Sequence, residues 1–173
     1  MSKSKNPARR IAFSGLMLAL AIALSFFESS LPSLPILLPG AKLGLSNIVT
    51  MYAVFFLGAA RAFTIAVLKS LFVLLTRGAT GAFLSLLGGL LSVLVMLIIS
   101  KYGGISKYVV SIGGAVAHNV GQLIGAVIIL QNKAVFYYLP MLLVCGIMVG
   151  MLTGCLLRFV APYLSDIDKR FNI

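Results

Sequence analysis

The chain has 173 residues, of which 61% are hydrophobic and 10% charged, against roughly a quarter charged in a soluble domain. That composition excludes a water-soluble enzyme or binding module and points to an integral membrane protein of one domain. The net charge of +11 does not point to nucleic acid, because the fourteen basic residues are scattered between apolar runs and form no continuous stripe.

After a basic tail at 1–10, apolar runs long enough to cross hydrocarbon are predicted at 11–27, 44–60, 62–77, 79–100, 109–130 and 135–160. They make an all-α membrane protein: a single six-helix transmembrane domain over 11–160, with an outer loop at 28–43 and a tail at 161–173. The first run has the basic start of a signal peptide, but Phe26, Phe27 and Glu28 are a poor small-residue cleavage site, so it is kept as a span. Gly15, Ala19 and Ala23 recur at every fourth position beside Ala12, giving a smooth stripe for close helix approach. Internal packing and docking onto a partner protein both account for it.

The loop that follows holds Pro32, Pro35, Pro39 and Gly40 around Ile36, Leu37 and Leu38. Three prolines exclude a regular spanning helix, leaving a lid or re-entrant element on one reading and a stiff connector on the other. Lys42 then stands at the outer membrane edge, with Asn47 about a turn inside. A helix starting there points its N-terminus inward, an arrangement suited to anions. A tight turn over 58–61 leads into the third run.

Lys69 is the most informative residue, because it lies halfway along the otherwise apolar stretch 62–76. A charge at the bilayer centre costs on the order of 3 kcal/mol, so such a lysine faces a partner, a cavity or a substrate. With Arg77 and Lys42 above it, Lys69 completes a positive column able to attract an anionic or phosphate-bearing ligand. Taken singly, Lys42 and Arg77 read first as side chains reaching for headgroups.

In the fifth run the sequence Ala-His-Asn-Val-Gly-Gln over 117–122 puts His118 and Gln122 on one helix face, with Asn119 three residues from Gln122. His118 is predicted at about the depth of Lys69. A shared ligand site and interhelical hydrogen bonding, worth about 0.6–2 kcal/mol per bond, are the two readings. Tyr137 and Tyr138 open the last run as an interfacial aromatic belt. Cys145 and Cys155 are ten residues apart, about 15 Å along a helix, which rules out a disulfide between them.

The three acids, Glu28, Asp166 and Asp168, lie outside the apolar runs. No metal site, no cofactor and no catalytic constellation is expected: paired intramembrane carboxylates, aspartate-rich motifs and phosphate-cradling loops are all missing from the sequence. For orientation, Lys3, Lys5, Arg9, Arg10, Arg61, Lys101, Lys107, Arg158, Lys169 and Arg170 fall on one side of a six-span topology, against Lys42, Arg77 and Lys133 on the other. Ten against three puts both termini in the cytoplasm.

The stretch from Pro39 to Thr50, Pro-Gly-Ala-Lys-Leu-Gly-Leu-Ser-Asn-Ile-Val-Thr, resembles the Gx transporter family, which is also called heptaprenyl diphosphate synthase component I. So do the stretch Ala-Val-Ala-His-Asn-Val-Gly-Gln-Leu over 115–123 and the helix carrying Gly88 and Gly89. The resemblance covers nearly the whole chain. This family in turn is similar to the substrate-binding S components of energy-coupling factor transporters, six-helix proteins that capture vitamins or related compounds at the outer face. Those dock on a transmembrane coupling subunit and two ATPase subunits through small residues of the first helix. Carried over, the docking stripe falls on Ala19 and Ala23, with Gly15 extending it.

The resemblance thus implies a substrate-binding subunit in a bacterial cell membrane. Joined to the polar residues read above, it gives the expectation of an importer subunit whose site for a small, vitamin- or isoprenoid-related substrate opens outward and is floored by Lys69, His118, Asn119 and Gln122. Two alternatives stand beside it: a non-catalytic membrane component of heptaprenyl diphosphate synthesis, since the aspartate-rich motifs of a prenyl synthase are missing, and a structural subunit supporting membrane redox or flavin machinery.

Overall fold

A computed structural model of the chain describes residues 7–30, 46–102 and 104–171. Among them every regular element is helical: α1 (Pro7–Ser30), α2 (Asn47–Tyr52) running on into a π-helical turn (Ala53–Leu57), α3 (Ala59–Lys101), α4 (Lys107–Leu130), a 3-10 turn (Lys133–Tyr138) and α5 (Leu139–Phe171). In hydrocarbon a backbone must satisfy its own N–H and C=O groups, and a helix does so within one segment. Three helical stretches are long and apolar enough to cross a membrane: Ala59–Lys101, Lys107–Leu130 and Lys133–Tyr163. Ile11–Phe27 and Asn47–Leu57 are shorter apolar helices.

Helix α3 has 43 residues but is folded in two at Gly78, whose φ of 76° and ψ of −176° leave the helical region. A Cβ placed on Gly89 would lie 3.5 Å from the Ala66 Cβ. In an unbroken helix those positions would stand about 35 Å apart, so the arms 59–77 and 79–101 run antiparallel. The break falls between the third and fourth apolar runs, where the sequence predicts it. Gly58, with φ of 93° and ψ of 165°, reverses the chain in the same way between α2 and α3. Both backbones require a residue without a Cβ.

Two expectations are corrected here. The turn predicted over 58–61 is a single residue, because Arg61 already lies inside α3. Among the described residues, the second run, expected at 44–60, ends at the Gly58 reversal, and its helical part Asn47–Leu57 gives about 16 Å of axis against the roughly 30 Å of a hydrocarbon core.

Glycines set the spacing between the later helices. Gly121 sits on Gly88, where an added Cβ would come within 2.8 Å of the Gly88 Cα and the Leu87 carbonyl oxygen. Gly114 sits on Met96 and Gly125 on Leu84, so α4 runs antiparallel to the 79–101 arm. Gly146 meets Val116 and Gly154 meets Tyr108, which makes α5 antiparallel to α4. Small residues let helices approach closely where lipid supplies no hydrophobic drive between them. On α1 the buried residues Phe13, Met17, Ala21 and Ser25 recur every fourth position, packing one face on the bundle.

The turns define two ends. Gly58, Tyr102 and residues 104–106 lie at one, with Arg61, Lys101, Lys107 and Arg158; Gly78 and the 3-10 turn lie at the other, with Arg77 and Lys133. Lys69 lies between them. Because a Cβ at Gly121 meets backbone that has nowhere to move, Gly121→Ala is expected to destabilise the protein by about 1–3 kcal/mol. Gly15→Ala, within α1 and with nothing within 4 Å of the added Cβ, is expected to leave it no less stable. Thermal unfolding of the two variants in one detergent measures the difference.

Candidate ligand-binding site

Lys69 is 2% exposed, and its Nζ donates to the Ser46 Oγ at 3.1 Å. The partners are 23 residues apart in sequence and meet because the chain reverses at Gly58, laying α2 against the 59–77 arm. Ser46 itself immediately precedes α2, so the helix begins at the level of Lys69, deep in the bundle. Beside it, Thr50 donates its hydroxyl to the Ser46 carbonyl at 3.5 Å, and Asn47 is 7% exposed. One turn of helix thus carries three short, buried polar side chains, and Ser46 is the one that meets the cation.

His118 is buried against Gly88: a Cβ there would fall 2.9 Å from the imidazole Cε1 and Nδ1. Gly88 thus makes room for the ring. Since Ala66 is level with Gly89, Lys69 lies about 4.5 Å further toward the Gly78 end. By the antiparallel register this is the level of Ser85 and Gln122, and His118 sits about one turn below it. Lys69 and His118 are thus separated by a little more than a turn in depth.

Asn119 turns elsewhere. Its Nδ2 donates to the Leu142 carbonyl oxygen at 2.9 Å, tying α4 to α5. The polar stripe read from the sequence therefore divides: His118 faces α3, Asn119 performs the interhelical bonding that was its other reading, and Gln122 is half-buried. Arg77 is exposed at the Gly78 turn. Lys42 and the 28–43 loop fall on positions outside the described residues, apart from the helical backbone of 28–30.

Gly15, Ala19 and Ala23 are exposed. They are offset by two residues, about 200° around the helix, from the buried stripe of Phe13, Met17 and Ala21, so the bundle's own seam on α1 is the opposite face. Gly15 borders a groove of about 510 Å³ shared with Arg61, Thr64 and Leu68 of α3.

Sequence reasoning did not single out Ser46, nor the buried serines of α3. Ser85, Gly88, Gly89 and Ser92 fall on one helix face at i, i+3, i+4 and i+7, and all four are buried. The Ser92 Oγ has no hydrogen-bond partner among the described residues. The spacing of those serines about the Gly-Gly pair was a readable signal; the Ser46–Lys69 pairing is non-local and was not.

An ammonium beside a hydroxyl, with an imidazole a turn away, offers donors to an anionic or strongly polar ligand. Among the described residues no three potential metal-ligating side chains come together. Long apolar helices packed around a buried cation define a helical integral membrane protein. More narrowly, the chain belongs to the heptaprenyl diphosphate synthase component I family, the Gx transporter family, whose sequence profile matches residues 17–160. That name describes one component of a multi-subunit system. No curated protein and no solved structure matches the chain.

A hydrogen bond to a charged group is worth about 1.5–3 kcal/mol. Ser46→Ala is therefore expected to lower stability by about that amount. In a double-mutant cycle with Lys69→Met, the two changes should couple by at least about 0.5 kcal/mol. Additive effects in the unfolding midpoints would show that the pair contributes nothing jointly.

Proposed function

We propose that the chain is the substrate-binding membrane subunit of an importer of the energy-coupling factor type, for a small anionic or phosphate-bearing compound of vitamin or isoprenoid character. The observation that carries this reading is the buried Lys69 ammonium on the Ser46 hydroxyl, with Asn47 alongside and His118 about a turn away in depth. If the six apolar runs are taken as membrane segments, the ten-to-three distribution of basic residues puts both termini in the cytoplasm and the Gly78 end outward. On that orientation Arg77 and Lys42 lie on the approach from outside, Lys69 and His118 hold the ligand with Gln122 beside them, and Asn119 fixes α4 to α5 beneath it.

The exposed face of α1 supports the same reading. Gly15, Ala19 and Ala23 present a smooth surface on the side away from the bundle, the form a helix takes where another membrane helix packs closely. The transmembrane coupling subunit, acting with two ATPases, is the partner assigned to it. The family's name favours a second reading, in which the chain is a non-catalytic membrane component of heptaprenyl diphosphate synthesis. A diphosphate-bearing isoprenoid would suit the same cation, so the partner decides between the two.

Replacing Ala19 by Leu adds bulk to the α1 face without touching Lys69. In an importer subunit this variant keeps its co-purifying small molecule but loses both substrate uptake by cells and recovery of an ATPase-containing complex by pull-down. Retention of the ATPase complex by Ala19→Leu, or recovery of a prenyl synthase subunit in its place from wild-type protein, would overturn the importer assignment.

A further inference from the structure

A cleft with basic residues in its lining lies at the opposite end of the bundle from the Gly78 turn, some ten residues or about 15 Å along α3 from Lys69. It encloses about 550 Å³ between the π-helical turn, the start of α4 and the end of α5. Lys107 and Arg158 reach it from different helices, while Phe56, Leu157 and Ala161 form its apolar wall. Among the described residues that line it there is no carboxylate.

The placement of Lys107 is informative. A lysine at the end of a membrane helix ordinarily extends into water. Here the exposed side chain also places its ammonium 5.9 Å from the centroid of the Phe55 ring and 5.5 Å from that of Phe56. Consecutive aromatic residues of the π-helical turn thus hold it over the cavity. Phe56 is fixed in turn by stacking on buried Tyr52 at 4.6 Å. Arg158 stands beside Tyr108 on the facing side, and the first residues of α4, with Ser106 as N-cap, add the positive end of a 24-residue helix.

We propose that this cavity binds the phosphate of an anionic membrane lipid, held between Lys107 and Arg158, with the upper part of an acyl chain against Phe56, Leu157 and Ala161. Two cations converging at the end of apolar helices match a headgroup phosphate in charge, and the apolar wall matches what is attached to it. A free phosphate or diphosphate ion has the same recognising chemistry but no use for the wall. The lipid therefore accounts for the whole lining. This assignment does not depend on the reading of the Lys69 site.

The test titrates the detergent-purified full chain with dioleoylphosphatidylglycerol, with a phosphate-free glucosyl dioleoylglycerol and with inorganic phosphate, following bound species by native mass spectrometry. Phosphatidylglycerol is expected to bind at least about tenfold more tightly than the glycolipid. The double variant Lys107→Gln/Arg158→Gln should lose that preference, whereas Lys133→Gln, at the other end of the bundle, should keep it. Phe56→Leu, which removes the ring under Lys107, should weaken phosphatidylglycerol binding with the cations intact, a check that does not depend on the double variant's folding. Inorganic phosphate binding as tightly as the lipid would overturn the lipid assignment in favour of a free ion. Equal binding of the glycolipid, or an undiminished preference in the double variant, would overturn the site itself.

Discussion

One ammonium group in an apolar interior is the constraint around which the described structure is arranged. A charge at the centre of a bilayer costs on the order of 3 kcal/mol even by lenient scales, and a buried polar group is tolerated only with partners. Lys69 finds Ser46 across the Gly58 reversal, which fixes where α2 must begin. That requirement is consistent with α2 being short: its polar first turn of Ser46, Asn47 and Thr50 is delivered to the depth of the cation rather than to the end of the bundle. On the far side, the Gly88–Gly121 contact brings α4 close enough to seat His118 against Gly88, about a turn from the level of Lys69.

Much of this was legible in the sequence, and the reason differs from element to element. Gly78 separates two apolar runs that are each too long to belong to a loop, so the fold-back could be placed from hydrophobic length alone. The stripe on α1 could be located at Gly15, Ala19 and Ala23, but not oriented, because every-fourth spacing describes a seam as well as an outer face. Only the packing of Phe13, Met17 and Ala21 shows which side faces the bundle. Lys69 was legible because a lone charge in a membrane-grade run stands out against its neighbours. Its partner was not, since a serine near the start of an apolar segment carries no mark of a contact 23 residues away. Asn119 shows the same limit: helical spacing groups it with His118 and Gln122, yet adjacent residues are about 100° apart on a helix and here reach different neighbours.

The family and the physical reading meet at the question of what a buried cation is for. The heptaprenyl diphosphate synthase component I family takes its name from an isoprenoid diphosphate, and an importer subunit would recognise an anion by the same donors. Both uses ask the protein to hold a ligand rather than transform it, which suits a site built from one ammonium, hydroxyls and an imidazole. The basic cleft at the far end, with Lys107 and Arg158, is the one proposed to take a lipid phosphate. The two proposals thus assign different roles to two positive regions at different depths, ligand capture at Lys69 and lipid binding at Lys107 and Arg158.

Mass spectrometry of the small molecules extracted from purified wild-type protein and from Lys69→Met protein tests the central claim most directly. The methionine keeps the side chain's length and removes its charge. The account requires one anionic or phosphate-bearing compound to accompany the wild-type chain and its recovery to fall at least about tenfold in the variant, the equivalent of one charge-assisted contact in a dry site. A neutral compound, or the same compound recovered equally from both proteins, would contradict it and leave Lys69 a structural residue tied to Ser46.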